Sequence, residues 1–115
     1  MNTDLVAFAM KTENAHIAIV ESNYKGSYTH FIQAQRQLHG MIESAHILEM
    51  KIKIVNGTMI YFFDASKWER LKGLRLDRIE TVPAALRMMP ERFLETRLKI
   101  GIAHDEGIFL SEEKQ

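Results

Sequence analysis

The sequence predicts an α/β fold: a small two-layer or three-layer sheet, mostly parallel, with one antiparallel hairpin. Three observations lead there. Short β-rich runs alternate with amphipathic stretches along the chain, the order that winds helices over a largely parallel sheet. The run "KIKIVNGTMIYFF" places two alternating apolar segments on either side of Asn56-Gly57, a hairpin signal. The 115 residues, 46% hydrophobic and 26% charged, suffice for one core and not for two. One domain over 1–115 is therefore expected, its core at about 5–111 and a polar tail at 112–115.

Residues 5–10 are apolar enough for a short turn or helix remnant, and a polar break follows at 11–14. "AHIAIVESNY" begins with alternation and carries the Ile and Val content of a buried strand that ends at Glu21-Ser22-Asn23. Tyr28, Phe31, Ile32, Gln35 and Leu38 recur at spacings of three and four, which predicts an amphipathic helix over 27–39 with Ser27 as its cap. Gly40 interrupts it, and a shorter helix is expected over 41–48. The hairpin comes next, its Asn-Gly dipeptide suited to the positive φ angles of a type I′ turn. Tyr61, Phe62 and Phe63 are expected in the core or on the sheet face rather than as a base-stacking platform.

Ser66 is the expected cap of a short helix over 67–72 that Gly73 stops, and a strand is expected over 74–82. Pro83 and Pro90 each suit the first turn of a helix, where the missing N–H is not needed. The second of these helices would run over 91–100, and "EGIFLSE" offers a last short strand.

Fifteen Lys and Arg balance fifteen Asp and Glu, so no overall field draws the chain to nucleic acid or membrane. The distribution is uneven: 67–99 hold nine basic and five acidic residues. Arg70, Lys72, Arg75 and Arg78 are the candidates there for phosphate or partner contact. Absence of cysteine excludes disulfides and thiolate metal sites. His16, His30, His39, His46 and His104 show no metal-ligand spacing, so no metal is expected. The apolar run in "MNTDLVAFAMK" is too short for a membrane span and lacks a basic flank, which leaves the cytoplasm as the expected location. Asp105-Glu106, Tyr28 with His30 and Ser44 with His46 lack the partners that would make them catalytic pairs.

The segments "AHIAIVESNYKGSYTHF", "IKIVNGTMIYFFDASKWERLKGLRLDRIETVPAALRMMPERFLETRLKIGI" and "GIFLSE" resemble, in that order, the middle of the ATPase domain of phage terminase large subunits, the DNA-packaging motor proteins. In that family a strand ending in a "vapny" type turn leads to a helix. A strand reading "NGS.I.F" follows, then a basic segment ending in "RGL" and a strand followed by two acids. The counterparts here are 17–24, 56–63, 70–74 and 76–85. The resemblance implies a P-loop-ATPase-like but truncated scaffold, with "MNTDLVAFAMK" starting inside the helix that follows the phosphate loop.

Departures from the family carry the functional expectation. No G-x-x-x-x-G-K-[ST] occurs, so nothing cradles the β and γ phosphates. Val82 and Pro83 stand where the resemblance puts the strand-end acids that hold Mg²⁺ and polarise water, with Glu80 two residues upstream as a substitute. Ser111 matches the hydroxyl that ends the family's coupling strand. The resemblance then implies a degenerate scaffold that is no enzyme, takes no cofactor and acts by binding a protein, a packaging motor first among partners. The alternatives are an inhibitor of a host enzyme or defence, a weak nucleic-acid-binding module using 67–99, and an ATPase completed by another chain's phosphate loop. A sheet edge exposed by truncation would be covered by the N-terminal segment or paired in a homo-oligomer.

Overall fold

The computed structural model describes Met1 and residues 3–91. The expected helix over 91–100, the strand in "EGIFLSE", Asp105-Glu106 and Ser111 lie outside the described residues. The elements are α1 (Thr3–Lys11), β1 (His16–Glu21), α2 (Tyr24–Gln37), β2 (Ile42–His46), β3 (Lys51–Ile54), β4 (Met59–Asp64), a 3₁₀ segment (Ala65–Gly73), β5 (Arg78–Thr81) and α3 (Pro83–Leu86).

The five strands form one mixed sheet in the order β2-β3-β4-β1-β5. β1 pairs in parallel with β4 and β5, while β3 runs antiparallel to both β4 and β2. The fold is thus α/β, with the parallel strands at its centre. The sheet carries a second antiparallel pairing, β2 with β3, beyond the one expected.

β1 is central, and its burial explains its composition. Ile17 and Ile19 join one apolar cluster with Leu5, Ala9, Phe31, Ala34, Ile52, Ile60 and Phe62, so α1 and α2 cover that face. Ala18 and Val20 join the opposite cluster with Ala65, Leu71, Ile79 and Ala85 beneath the 3₁₀ segment and α3. The arrangement is three-layered. A strand buried on both sides reads as a continuous apolar run, and "HIAIV" is one. Phe62 meets Phe31 edge-on across the first face, while Tyr61 and Phe63 pack half-buried on the other, the sheet-face roles expected of these aromatics.

Residues 41–48 do not form a helix. Their middle is the edge strand β2, because Gly40 at φ +87° ends the preceding turn and β3 offers a ladder: the Val55 N–H donates to the Met41 carbonyl at 2.8 Å. Helical spacing at Met41, Ala45 and Leu48 is outweighed by this pairing. The hairpin between β3 and β4 forms, but not with a type I′ turn. Its loop is Val55-Asn56-Gly57, the Gly57 N–H donates to the Ile54 carbonyl, and only Gly57 takes a positive φ, +89°. This is the three-residue loop with a left-handed last residue. Asn56 serves instead as a tie, donating through Nδ2 to the Ala9 carbonyl at 2.8 Å and accepting from the Thr58 N–H.

Two caps differ from expectation. α2 starts three residues before Ser27, and its cap is Asn23, whose Oδ1 accepts from the Gly26 N–H at 2.8 Å. The helix over 67–72 is a 3₁₀ segment capped by Asp64, which accepts from the Ser66 N–H at 2.9 Å. Ala65, Trp68, Leu71 and Leu74 all face the second cluster. The segment is kinked at Lys67 (φ −111°, ψ 29°), and beyond the kink Trp68 and Leu71 keep the three-residue spacing of a 3₁₀ turn. β5 is shorter than the expected strand, whereas Pro83 does occupy the first turn of α3.

Gly57 supplies a first test. A Cβ there would sit 2.0 Å from Asn14 Oδ1, on a backbone only glycine adopts freely. Gly57→Ala should cost about 2 kcal/mol or more in urea denaturation. An unchanged midpoint would contradict this account of the turn.

Candidate functional site

From the carboxyl end of β1 the chain turns into α2 on one face and travels to β2 at the far edge. From the carboxyl end of its parallel neighbour β4 it turns into the 3₁₀ segment on the other face and travels to β5. Two adjacent parallel strands whose connections diverge leave a crevice outside their carboxyl ends, the usual ligand position in open α/β sheets. Glu21, Ser22, Asn23, Asp64 and Val82 stand there.

Their polar groups are turned on the protein itself. Glu21 Oε1 accepts from the Ser22 N–H at 2.9 Å, and Oε2 lies 3.0 Å from His30 Nε2 one and a half turns into α2. Gly26 makes this possible, since a Cβ at that position would come within 2.2 Å of Glu21 Cγ. Asn23 and Asp64 are engaged as caps. Ser27, buried, donates its Oγ hydrogen to the Phe63 carbonyl at 2.7 Å and ties α2 to β4 across the crevice. Only Ser22 and Asn23 separate β1 from α2.

Val82 closes the neighbouring strand end. Its N–H donates to the Val20 carbonyl at 3.2 Å, its carbonyl accepts from Ala85 and Leu86, and its side chain packs against the second cluster. It occupies the cap position of α3 without a side-chain cap bond, and Pro83 fills the first helical position. Glu80 is not a stand-in for a strand-end acid. It pairs in register with Ile19 and lies near the Met1 amino group, which it biases toward protonation against the larger opposing effect of burial. That is the α1 face, whereas Val82 packs on the other.

A groove of about 460 Å³ adjoins the crevice. Tyr24 and Ser27 of α2, Leu48 to Lys51 at the turn into β3, Tyr61 to Asp64 of β4, Lys67 and Arg70 of the 3₁₀ segment, and Leu74 just after it line the groove. Leu48 is 97% exposed and Tyr24 58%. Lys51 is matched by Glu49 at 2.9 Å; that hydrogen bond and charge hold the Glu49 carboxyl below its usual value and the Lys51 ammonium above its own.

No protein-family model, curated protein or solved structure matches the chain.

The four candidate cations do not share a surface. Arg70 lines the groove at the carboxyl end of β4. Lys72 lies 4.9 Å from the centre of the Trp68 ring. Arg75 lines a smaller cavity, about 260 Å³, with His16 and Asp77 at the opposite, amino end of β1. Arg78 is 9% exposed, its guanidinium 5.3 Å from the centre of the Phe8 ring, so it faces α1 and not solvent. Tyr28 with His30 and Ser44 with His46 likewise form no catalytic pair: His30 is turned to Glu21, and Ser44 and His46 are on the exposed edge strand β2. Among the described residues, no group of three or more His, Cys, Asp or Glu could hold a metal ion, and no helix is long and apolar enough to cross a membrane.

Sequence reasoning missed the Glu21–His30 pair and the groove. Gly26 was the available signal for the first, as a glycine in the first turn of a helix invites the question of what approaches it. Gly26→Ala should cost about 1–2 kcal/mol by overpacking. In a Glu21→Ala background the same change should turn stabilising by about 0.5–1 kcal/mol, because only helix propensity is left. A thermal-melt cycle with no change of sign would refute the packing of Glu21 over Gly26.

Proposed function

We propose that the chain is a non-catalytic binding module on a terminase-ATPase-like scaffold, of phage type, that acts by docking onto another protein. The observation that carries this reading is the end of β5. There, beside β1, Val82 and Pro83 present an apolar side chain and a pyrrolidine ring, neither of which can hold a cation or accept a proton. Phosphoryl transfer depends on positioning and charge neutralisation, and these residues provide neither.

A packaging-motor subunit is the first partner to test. The tagged protein should co-elute with the cognate motor and change its ATPase rate, while hydrolysing no ATP alone. Failure to associate, together with an unchanged rate, would sink the motor as partner. Recovery of a host enzyme from lysate in its place would favour an inhibitor. Turnover of ATP by the purified chain, abolished by no contaminant control, would overturn the non-catalytic reading itself.

A further inference from the structure

We infer that the groove between the first turn of α2, the turn at 47–50 and the 3₁₀ segment docks an acidic segment of a partner protein that carries an apolar anchor residue. The assignment rests on the binding-module reading above and adds to it the place and the chemistry.

Charge comes first. Lys67, at a kink in the 3₁₀ segment, and Arg70, three residues on, both line the groove. Both are exposed, and neither makes an ion pair with a described residue. Of the other charges of the groove, Lys51 and Glu49 pair with each other, and Asp64 accepts from the Ser66 N–H and hydroxyl, which leaves the lining with a net charge of one positive. Two cations on one wall, without an ion-pair partner among the described residues, are complementary to carboxylates.

The opposite wall presents Leu48 beside the Glu49–Lys51 pair and is held in place. Leu48 projects from a turn closed by the Met50 N–H donating to the Ile47 carbonyl, and Met50 takes a φ of +53° there. That left-handed conformation is strained for methionine, and it is anchored from both sides. The Met50 side chain is buried in the first cluster, and its carbonyl accepts from the Phe62 N–H at 2.9 Å. Leu48 is therefore presented on a fixed support. A partner that covers this leucine removes nearly all of its apolar surface from water, which favours association. The volume, about 460 Å³, falls within the span of sites that enclose a ligand group.

A single nucleic-acid strand fits less well. Tyr61 and Phe63 are packed half-buried against the second cluster, which leaves Tyr24 as the exposed ring of the groove rather than a row of stacking platforms.

Panning a random dodecapeptide phage library against the full chain, followed by fluorescence anisotropy of the enriched peptides, tests the assignment. Enriched peptides should carry Asp or Glu flanking Leu, Phe or Trp. Their affinity should fall about tenfold or more with Lys67→Glu/Arg70→Glu and with Leu48→Asp, each an exposed position whose change leaves the melting curve intact. Arg75→Glu, at the other end of the sheet, should leave affinity unchanged. Enrichment without acids, binding indifferent to Lys67→Glu/Arg70→Glu, or displacement by oligothymidylate at similar concentration would each overturn it. Tighter peptide binding after neutralising Asp105, Glu106, Glu112 and Glu113 would assign the groove to the chain's own acidic segment and overturn the partner. Retained co-elution of Lys67→Glu/Arg70→Glu with the motor would sink the groove and leave the binding-module reading standing, whereas ATP turnover would sink that reading without touching the peptide result.

Discussion

Burial of β1 on both faces is the constraint from which the rest of the molecule follows. A strand flanked by parallel neighbours β4 and β5 cannot be joined to either by a tight turn, so the chain must cross over the sheet each time. Its alternating residues also need cover above and below. The two crossovers supply that cover from opposite sides: α2 over Ile17 and Ile19, the 3₁₀ segment over Ala18 and Val20. A slip of one residue in the pairing would exchange the two sets of side chains between unlike layers. The divergence of the crossovers that bury β1 also opens the crevice at its carboxyl end, so core and candidate site have one origin.

Polar ties secure both ends of that strand, and they differ in what they leave available. At the amino end the Ala15 N–H donates to Thr58 Oγ1, and the His16 N–H to Asp77 Oδ2 at 2.9 Å. Buried Thr58 in turn donates to the Thr12 carbonyl at 2.6 Å. These bonds satisfy backbone groups where strands begin, as burial demands. At the carboxyl end, Glu21, Asn23, Ser27 and Asp64 are all drawn into local bonds. A chemical site needs such groups aimed outward with donors or acceptors unspent. Here Leu48, Lys67 and Arg70 point outward without a hydrogen bond or ion pair to a described residue, beside Tyr24, which stacks on Tyr28, a set suited to surface complementarity.

Elements whose signal is local were legible in the sequence. The apolar run of β1, the glycine turn of the hairpin, and proline at the start of α3 each depend on residues adjacent in the chain. Residues 41–48 were misread because an edge strand is half solvated and borrows its specification from β3, so helical spacing at Met41, Ala45 and Leu48 had no local competitor. Ser27 fitted a cap by type, but its hydroxyl is claimed by the Phe63 carbonyl, a contact across 36 positions of sequence. Grouping Arg70, Lys72, Arg75 and Arg78 failed for a geometric reason: a period of three spreads the first two over different faces, and strand register turns Arg78 inward toward Phe8. The groove was illegible because three separated segments build it and because the kink at Lys67, which helps set that residue on its wall, has no signal in the repeat Ala65, Trp68, Leu71.

The fold itself does not demand an inert residue at position 82. That position caps α3, where aspartate is among the preferred residues and is worth about 1 kcal/mol over an apolar one. Against this, half-burial of the Val82 side chain on the second cluster contributes about 1 kcal/mol. The two effects nearly cancel, so the scaffold would accept an acid at the strand end as readily as valine. Pro83 is similarly permitted by the first helical turn without being required by it. What stands at the end of β5 is therefore not dictated by stability, and a scaffold free to carry a carboxylate there carries a side chain that can only pack. Residue choice at position 82 is thus set by packing on the second cluster as much as by capping, and either would keep the fold.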